Sequence, residues 1–302
     1  MTHESATSSN RAKEVAEASA RYVKNGASPD SIGSGPYPAI KQTIPNLTNH
    51  VIYRPENLGA LQGRKMPLYL FGNGACSDDG PSSRHHLLEI ASHGYLAVAP
   101  GSIFSGPGVK MTLNDFDKHR SRTRWTQLGE AIDWATKENE RRDSPFFGLL
   151  DPGRIAMSGY SCGGIQALKY AGDPRVATFV IMNSGILDQS VPQSGEMAAD
   201  KNLLDKITVP TLYVLGGPGD MAYSNGMDDF LRLRARAIVI NTNVGHAGTY
   251  ADPNGGRVAP AVVAWLDWQL RGDQQAARWF VGAECILSAD PNWTIDRRNF
   301  SA

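Results

Sequence analysis

The chain has 302 residues, enough to bury a full hydrophobic core without stabilising disulfides or metals. Of these residues 41% are hydrophobic and 20% are charged, which is typical of a globular protein. Its 30 Lys and Arg residues balance 30 Asp and Glu residues, so it lacks the basic surface that nucleic acids and anionic membranes require of a partner. The sequence contains no apolar run of about 18 residues, so it predicts no membrane-spanning helix. Residues 1–10 also lack the apolar core of a secretory signal, so we expect a cytoplasmic location, or secretion if a leader has been removed.

The N-terminal region, residues 1–35, is predicted to be a polar segment outside the main domain. Residues 1–9 have few apolar anchors and are expected to be disordered. Residues 10–24 predict a docked or mobile helix, and the Gly-, Pro- and Ser-rich residues 27–36 predict a linker. The apolar face of that helix carries Val15, Ala18 and Tyr22. Residues 36–302 are expected to form one domain.

Strands and helices alternate through the rest of the chain. Short apolar runs predict strands at 49–53, 66–71, 94–99, 154–158, 176–182, 210–215 and 236–240. Helical patterns lie at 81–92, 122–140, 162–171, 225–233 and 259–270. This alternation predicts an α/β fold with a mostly parallel central sheet and helices on both faces. Because the carboxyl ends of parallel strands share one edge, functional residues are sought just after each strand.

The clearest functional pattern is Gly159-Tyr160-Ser161-Cys162-Gly163, a G-x-S-x-G motif between a predicted strand and a predicted helix. A sharp, strained turn of this kind exposes a serine hydroxyl, and its glycines avoid clashes where strand and helix approach. The motif alone also occurs by chance as a glycine-rich turn. In this context it predicts that Ser161 is a nucleophile.

The acid and base of such a site follow the serine in chain order. Asp220 follows the strand at 210–215 and is the predicted acid, although an aspartate here could instead cap the next helix. Other candidates are Asp188 and the pair Asp228 and Asp229.

His246 lies in a loop of small residues after the strand at 236–240 and is the predicted base. Four other histidines are weaker candidates: His85 and His86 lie early in a predicted helix, His93 lies at its end, and His119 lies in a charged segment.

Two backbone N–H groups are expected to form an oxyanion hole. One belongs to Cys162, directly after the serine, and the other to Ala75 in the glycine-rich loop after the strand at 66–71, with Cys76 as the alternative. Alternatively, the loop after the strand at 66–71 is an ordinary glycine turn without this role. Substrate contacts are expected from Gly74, Ile103, Phe104 and Met221. The predicted walls of the pocket are 101–108, 187–197 and 221–227, and the short connection between 182 and 210 leaves no room for a large lid.

Several motifs resemble those of the dienelactone-hydrolase-like and cutinase-like polyester-hydrolase branch of the α/β hydrolases. They are FGNGACSDDG, EIASHGYLAVAP, GYSCGG, LGGPGDMAYSNGMDDF and VGHAGTY, and the resemblance extends over about residues 36–282. It implies the α/β-hydrolase fold, with Ser161, Asp220 and His246 as triad and Ala75 and Cys162 as oxyanion donors. Bacterial polyester hydrolases carry other residues at positions 75 and 162 and a tryptophan after the sixth core strand, so the resemblance does not predict polymer hydrolysis.

The predicted activity is hydrolysis of a small acyl or aryl carboxylic ester by a serine enzyme. The same triad would also serve an acyltransferase, thioesterase, lactonase or amidase, and a non-catalytic binding protein on this fold is a further alternative. No metal-binding or phosphate-loop motif is present, so no cofactor or metal is expected. The partner is expected to be a small-molecule ester, and the oligomeric state is left open.

The three cysteines are Cys76, Cys162 and Cys285, an odd and small number that does not suggest a disulfide scaffold. Cys76 and Cys162 each adjoin a predicted oxyanion donor, and two loops that share one oxyanion would bring them within bridging distance. A disulfide between them and a pair of packed, reduced thiols are both compatible with the sequence. The missing secretion signal favours the reduced pair.

Overall fold

The computed structural model describes residues 12–13, 16–17, 19–20, 22–23, 26–188, 190 and 193–300. The predicted disorder of residues 1–9 lies outside this part of the chain. Of the predicted N-terminal helix, the described residues are helical.

A sheet of nine strands organises the described residues. The strands are β1 (Ala39–Ile44), β2 (Leu47–Pro55), β3 (Met66–Gly72), β4 (Leu96–Pro100), β5 (Leu150–Tyr160), β6 (Val176–Met182), β7 (Thr211–Leu215), β8 (Ala237–Thr242) and β9 (Trp293–Arg298). Their order is β1-β2-β4-β3-β5-β6-β7-β8-β9. The six central strands, from β4 and β3 through to β8 in this order, pair in parallel. At one edge β1 pairs antiparallel with β2 and β2 with β4, and at the other edge β9 pairs antiparallel with β8. The prediction of a mostly parallel sheet is confirmed.

Helices cover both faces of this sheet, as predicted. They are α1 (Arg84–Ser92), α2 (Leu113–His119), α3 (Thr126–Glu140), α4 (Cys162–Leu168), α5 (Tyr223–Arg232), α6 (Val258–Arg271), α7 (Gln274–Ala277) and α8 (Ile286–Ala289). Side chains of α1 and α6 pack on one face of the sheet, and those of α3, α4 and α5 pack on the other.

Strand β3 shows why its residues form a buried strand. Tyr69 and Phe71 belong to the core layer with α1 and α6, whereas Leu68 and Leu70 belong to the opposite layer. All four side chains are fully buried. A continuous apolar run is expected of a strand that is covered on both faces, and it places the residues that follow Gly72 at the carboxyl edge.

Five elements were not predicted: β1, β9, α2, α7 and α8. The predicted linker at 27–36 is packed rather than free, since Ser34 Oγ donates to Glu89 Oε1 at 2.5 Å and Arg84 Nε donates to Asp30 Oδ1 at 2.9 Å. Between β6 and β7 the described residues contain only the short 3-10 turns Gly195–Met197 and Lys201–Lys206, which agrees with the absence of a large lid.

Candidate active site

Ser161 lies between β5 and α4 in a strained conformation, with φ 53° and ψ −121°. The strain is tolerable because neighbouring backbone holds the residue: its N–H donates to the Met182 carbonyl at 3.0 Å, and its carbonyl accepts from Ser184 Oγ at 2.6 Å. The turn needs glycine, since a Cβ on Gly163 would lie 2.0 Å from the Gly72 oxygen. The predicted sharp strand-to-helix turn is confirmed.

A hydrogen-bonded chain runs from Ser161 through His246 to Asp220. His246 Nε2 lies 3.0 Å from Ser161 Oγ, and His246 Nδ1 lies 2.7 Å from Asp220 Oδ1. With its proton on Nδ1, the imidazole donates to the carboxylate and accepts from the serine hydroxyl. Both His246 and Asp220 are buried. Loops after three different strands, β5, β7 and β8, thus bring the three predicted residues together.

Asp220 is held by four donors. Oδ1 accepts from Ala222 N–H at 2.9 Å besides His246, and Oδ2 accepts from Asn183 Nδ2 at 2.8 Å and Gly216 N–H at 3.0 Å. Burial alone would raise the pKa of Asp220, but the hydrogen bond and charge of His246 and the two backbone donors hold this pKa below its ordinary value. The carboxylate is therefore ionised and directed at the imidazole.

The other candidate acids and bases have partners elsewhere. Asp188 is exposed and accepts from Ser190 N–H, while Asp229 is fully buried and bonds to Lys201, Ile186 N–H and Tyr213. The four remaining candidate histidines each contact a residue outside the chain of Ser161, His246 and Asp220: His85 contacts Ser28, His86 contacts Tyr69, His93 contacts Glu89 and His119 contacts Asp78.

The loop after β3 and the turn after β5 are joined by a disulfide between Cys76 and Cys162, with their α-carbons 5.3 Å apart. This bridge corrects the expectation that two reduced thiols are favoured. The N–H of Cys76 donates to the Asn73 carbonyl at 3.2 Å, so it is not free for an oxyanion. Ala75, with φ 54°, and Cys162 both line the same cavity as Ser161. This arrangement favours Ala75 over Cys76 as the second predicted donor.

A cavity of about 340 Å³ opens above Ser161. This volume is typical of a small-molecule site. Its lining includes the aromatic residues Tyr22, Phe116, Tyr160 and Tyr250, the methionines Met197 and Met221, and the polar residues Ser77, Ser82, Ser83, Arg120 and Ser121.

Of the four predicted substrate contacts, Gly74 and Met221 line this cavity, and Ile103 and Phe104 do not. The prediction for these two residues, and for a wall at 101–108, is corrected. The buried Asp79 carboxylate accepts from Phe104 N–H at 3.1 Å, and the Phe104 ring stacks on His119 with ring centroids 4.0 Å apart. These contacts hold Phe104 against Asp79 and His119.

Sequence reasoning missed several residues of the site, including Tyr160 and Asn183. Tyr160 is the second residue of the G-x-S-x-G motif. Its ring lies so close to Gly74 that a Cβ added to Gly74 would be 2.3 Å from Tyr160 Cδ1. Asn183 directly follows β6, so the rule that directs attention to strand ends could have found it. Its Oδ1 accepts from Tyr250, four residues after His246, at 2.5 Å.

The described part of the chain contains no group of three or more His, Cys, Asp and Glu side chains arranged to hold a metal ion. Within the same residues, no helix has the length and apolar character needed to cross a membrane. That the protein needs no cofactor stays a prediction.

Comparison with known proteins gives one informative similarity. No family model matches the chain. Hydrolase ffsE of Aspergillus flavipes is 31% identical to it over 150 residues, which are 47% of this chain and 30% of that protein. The match therefore spans less than a third of the relative's length.

Proposed function

We propose that the protein is a serine hydrolase of the α/β-hydrolase fold that cleaves a carboxylic ester through an acyl-enzyme on Ser161. The observation that carries the proposal is the hydrogen-bonded chain of Ser161, His246 and Asp220, which lies at the carboxyl edge of the sheet beside a cavity. The strained turn at Ser161 and the similarity to a named hydrolase support it.

In the proposed mechanism, His246 Nε2 takes the proton of the Ser161 hydroxyl as Oγ attacks the ester carbonyl. The developing oxyanion accepts hydrogen bonds from the backbone N–H groups of Ala75 and Cys162. His246 then protonates the leaving alcohol, and the acyl group remains on Oγ. In the second half, His246 activates a water that releases the acid, and Asp220 stabilises the imidazolium in both halves.

The lining of the cavity supports an uncharged substrate with an apolar acyl or aryl group. Aromatic rings and thioethers bury apolar surface well, and methionine adapts to different shapes. An acyltransferase, thioesterase, lactonase or amidase would use the same residues and remains the second candidate. Product analysis with and without added alcohol acceptors separates transfer from hydrolysis.

A fluorophosphonate probe followed by peptide mass spectrometry tests the nucleophile. We expect one adduct on Ser161, and hydrolysis of nitrophenyl esters that is abolished in Ser161→Ala. Ser82→Ala is the matched control, because Ser82 lines the same cavity and its buried hydroxyl has no hydrogen-bond partner among the residues that the structure describes. An adduct on another residue, or full activity in Ser161→Ala, would refute the proposal.

We further propose that the enzyme acts in an oxidising compartment, the secreted alternative of the sequence analysis. The bridge between Cys76 and Cys162 supports this, because structural disulfides are rare in the reducing cytosol. Fractionation of the native host tests it: recovery of the enzyme only from the cytosol, with both thiols reduced, would contradict the proposal.

A further inference from the structure

Tyr22 belongs to the N-terminal region that lies outside the resemblance to known hydrolases, yet it lines the cavity above Ser161. Its ring packs edge-on against Phe116 of α2 with centroids 5.4 Å apart, and Phe116 lines the same cavity. Two aromatic side chains from segments that carry none of the proposed catalytic residues thus form one part of the wall.

A buried carboxylate holds Tyr22 in place. The Tyr22 hydroxyl donates to Asp79 Oδ2 at 2.8 Å. Asp79 is fully buried, and it also accepts from Ser105 N–H at 3.0 Å and Ser105 Oγ at 2.5 Å. Burial first, and then the charge of Asp79, raise the pKa of the Tyr22 phenol far above its ordinary value, so the phenol remains a donor.

The chain after Tyr22 is docked on the segment between β4 and α2. The Gly26 carbonyl accepts from Gly106 N–H at 2.7 Å, and Gly26 packs so closely on Met111 that a Cβ would lie 2.3 Å from Met111 Cγ. Since Met111 precedes α2, the contact of Gly26 with Met111 holds the N-terminal region beside α2 at a second point, in addition to the contact between Tyr22 and Phe116.

We propose that Tyr22, positioned by Asp79 and packed on Phe116, is a specificity-determining residue that contacts the apolar part of the ester. The proposal rests on the proposed function of Ser161. It assigns a role in substrate selection to the N-terminal region. Asp79 acts through Tyr22 and is a positioning residue.

The test compares the rates of the full-length protein on nitrophenyl acetate and nitrophenyl octanoate. For Tyr22→Ala we expect kcat/KM on the octanoate to fall roughly tenfold or more, mainly through KM, because a hydrophobic pocket discriminates by its apolar contacts. The rate on the acetate should stay within about threefold, since the acetyl group is too short to reach the wall. Tyr22→Phe keeps the ring and loses the hydrogen bond to Asp79, so its loss should be smaller.

Tyr37→Ala is the matched control. Tyr37 is a half-buried tyrosine just after the N-terminal region, and it packs near Gly94 and does not line the cavity. Phe116→Ala alters the same wall from a different helix, so it provides a second reading if Tyr22→Ala does not fold.

An unchanged ratio of octanoate to acetate rates in Tyr22→Ala, or in Phe116→Ala where Tyr22→Ala is unfolded, would overturn the proposal. So would an equal change of that ratio in Tyr37→Ala. Failure of the proposed function gives a different signal, namely wild-type activity in Ser161→Ala, and would remove this proposal with it.

Discussion

The two sides of the candidate site are held by different means. On the acid–base side, Asp220 and His246 lie on separate loops; His246 bonds directly to Asp220, and Asn183 Nδ2 donates to both Asp220 and the Gly245 carbonyl. On the oxyanion side, the Ala75 loop and the Cys162 turn are joined by a covalent bond and by a direct approach of backbone to backbone at Gly72 and Gly163. The side proposed to move protons is thus built from exchangeable bonds, whereas the side proposed only to present N–H groups is fixed by a covalent bond.

This difference suggests that the two sides fail differently when they are altered. Loss of a hydrogen bond on the acid–base side changes the orientation or charge of a reacting group. Loss of the bridge on the oxyanion side loosens the geometry but removes no donor. The predictions below test this comparison, beginning with the largest expected effect.

His246→Ala should reduce kcat for nitrophenyl esters by roughly 10⁴–10⁶, because the proton of Ser161 loses its acceptor. Asp220→Asn should reduce kcat by about 10⁴, because the amide no longer selects the correct imidazole tautomer. Asp188→Asn is the control, since this exposed carboxylate accepts a local hydrogen bond from Ser190 N–H, two residues away. Steady-state rates decide the assignment: a larger loss in Asp188→Asn than in Asp220→Asn would show that the acid is misassigned.

Replacing the bridge by the double variant Cys76→Ser/Cys162→Ser should lower kcat by roughly tenfold to a hundredfold and leave KM nearly unchanged. The reason is that the oxyanion contact strengthens in the transition state, and removal of one whole donor costs about 10²–10³ in kcat. Because closing a loop of 86 residues restricts the unfolded chain by roughly 4–5 kcal/mol, the rates are compared well below the melting temperature of the variant.

Cys285→Ser provides the control for this prediction, because Cys285 is buried and unbridged. Alkylation of the unreduced, denatured protein should label Cys285 alone, and reduction should expose the other two thiols. Labelling of all three cysteines without reductant would rule the bridge out.

Asn183→Gly should lower kcat by roughly tenfold to a hundredfold, since a small displacement of Asp220 and the His246 loop disturbs proton transfer. Glycine is chosen because Asn183 has a positive φ of 44°, which alanine would strain. Tyr250→Phe removes only the hydroxyl that donates to the Asn183 amide, and its effect should be smaller. If both variants retain wild-type kcat, hydrogen bonding through Asn183 does not position the acid.

Asp229 lies outside the site and provides a contrasting case. Burial raises its pKa to about 6, although Lys201 lies nearby. The folded state therefore binds this proton more tightly than the unfolded chain, whose carboxyl has a pKa of about 4. Stability from this group is greatest below pH of about 4 and falls by up to roughly 3 kcal/mol as the pH rises through about 6.

Asp229→Asn should remove this part of the pH dependence and leave kcat within about twofold, because Asp229 does not contact His246. Urea unfolding between pH of about 4 and 7 measures the effect. Asp228→Asn is the matched control, since Asp228 is partly exposed and its hydrogen bond with Arg232 holds its pKa below the ordinary value. An unchanged stability profile in Asp229→Asn would contradict the prediction.

The sequence predicted those parts of the fold and site that depend on the apolar pattern and backbone geometry of neighbouring residues in the chain. Continuous apolar runs located the parallel strands, and the order of residues after them led to three side chains that form one hydrogen-bonded chain. Their catalytic roles stay predictions. The edge strands were missed because AIKQTI in β1 and WTIDRR in β9 mix polar and apolar residues. Helix α2, LNDFDKH, has only two apolar residues, and its position depends on contacts such as that of Phe116 with Tyr22.

The wrong substrate contacts have a comparable cause. The sequence shows that 101–108 follows a strand, but the direction of the loop depends on Asp79, a residue more than twenty positions earlier. Likewise, no local pattern indicates that Tyr22 reaches the cavity. Pocket walls built from distant segments are decided by tertiary hydrogen bonds, which a single sequence does not display.

The antiparallel strand β9 has a consequence for how the molecule behaves at high concentration. It ends the sheet, and a terminal strand offers unpaired backbone groups to which another chain could add. Asp296, Arg297 and Arg298 occupy half of this short strand. An incoming strand would have to bury its backbone beside these charges, which is costly, so β9 protects the apolar parallel strands behind it from edge-to-edge aggregation.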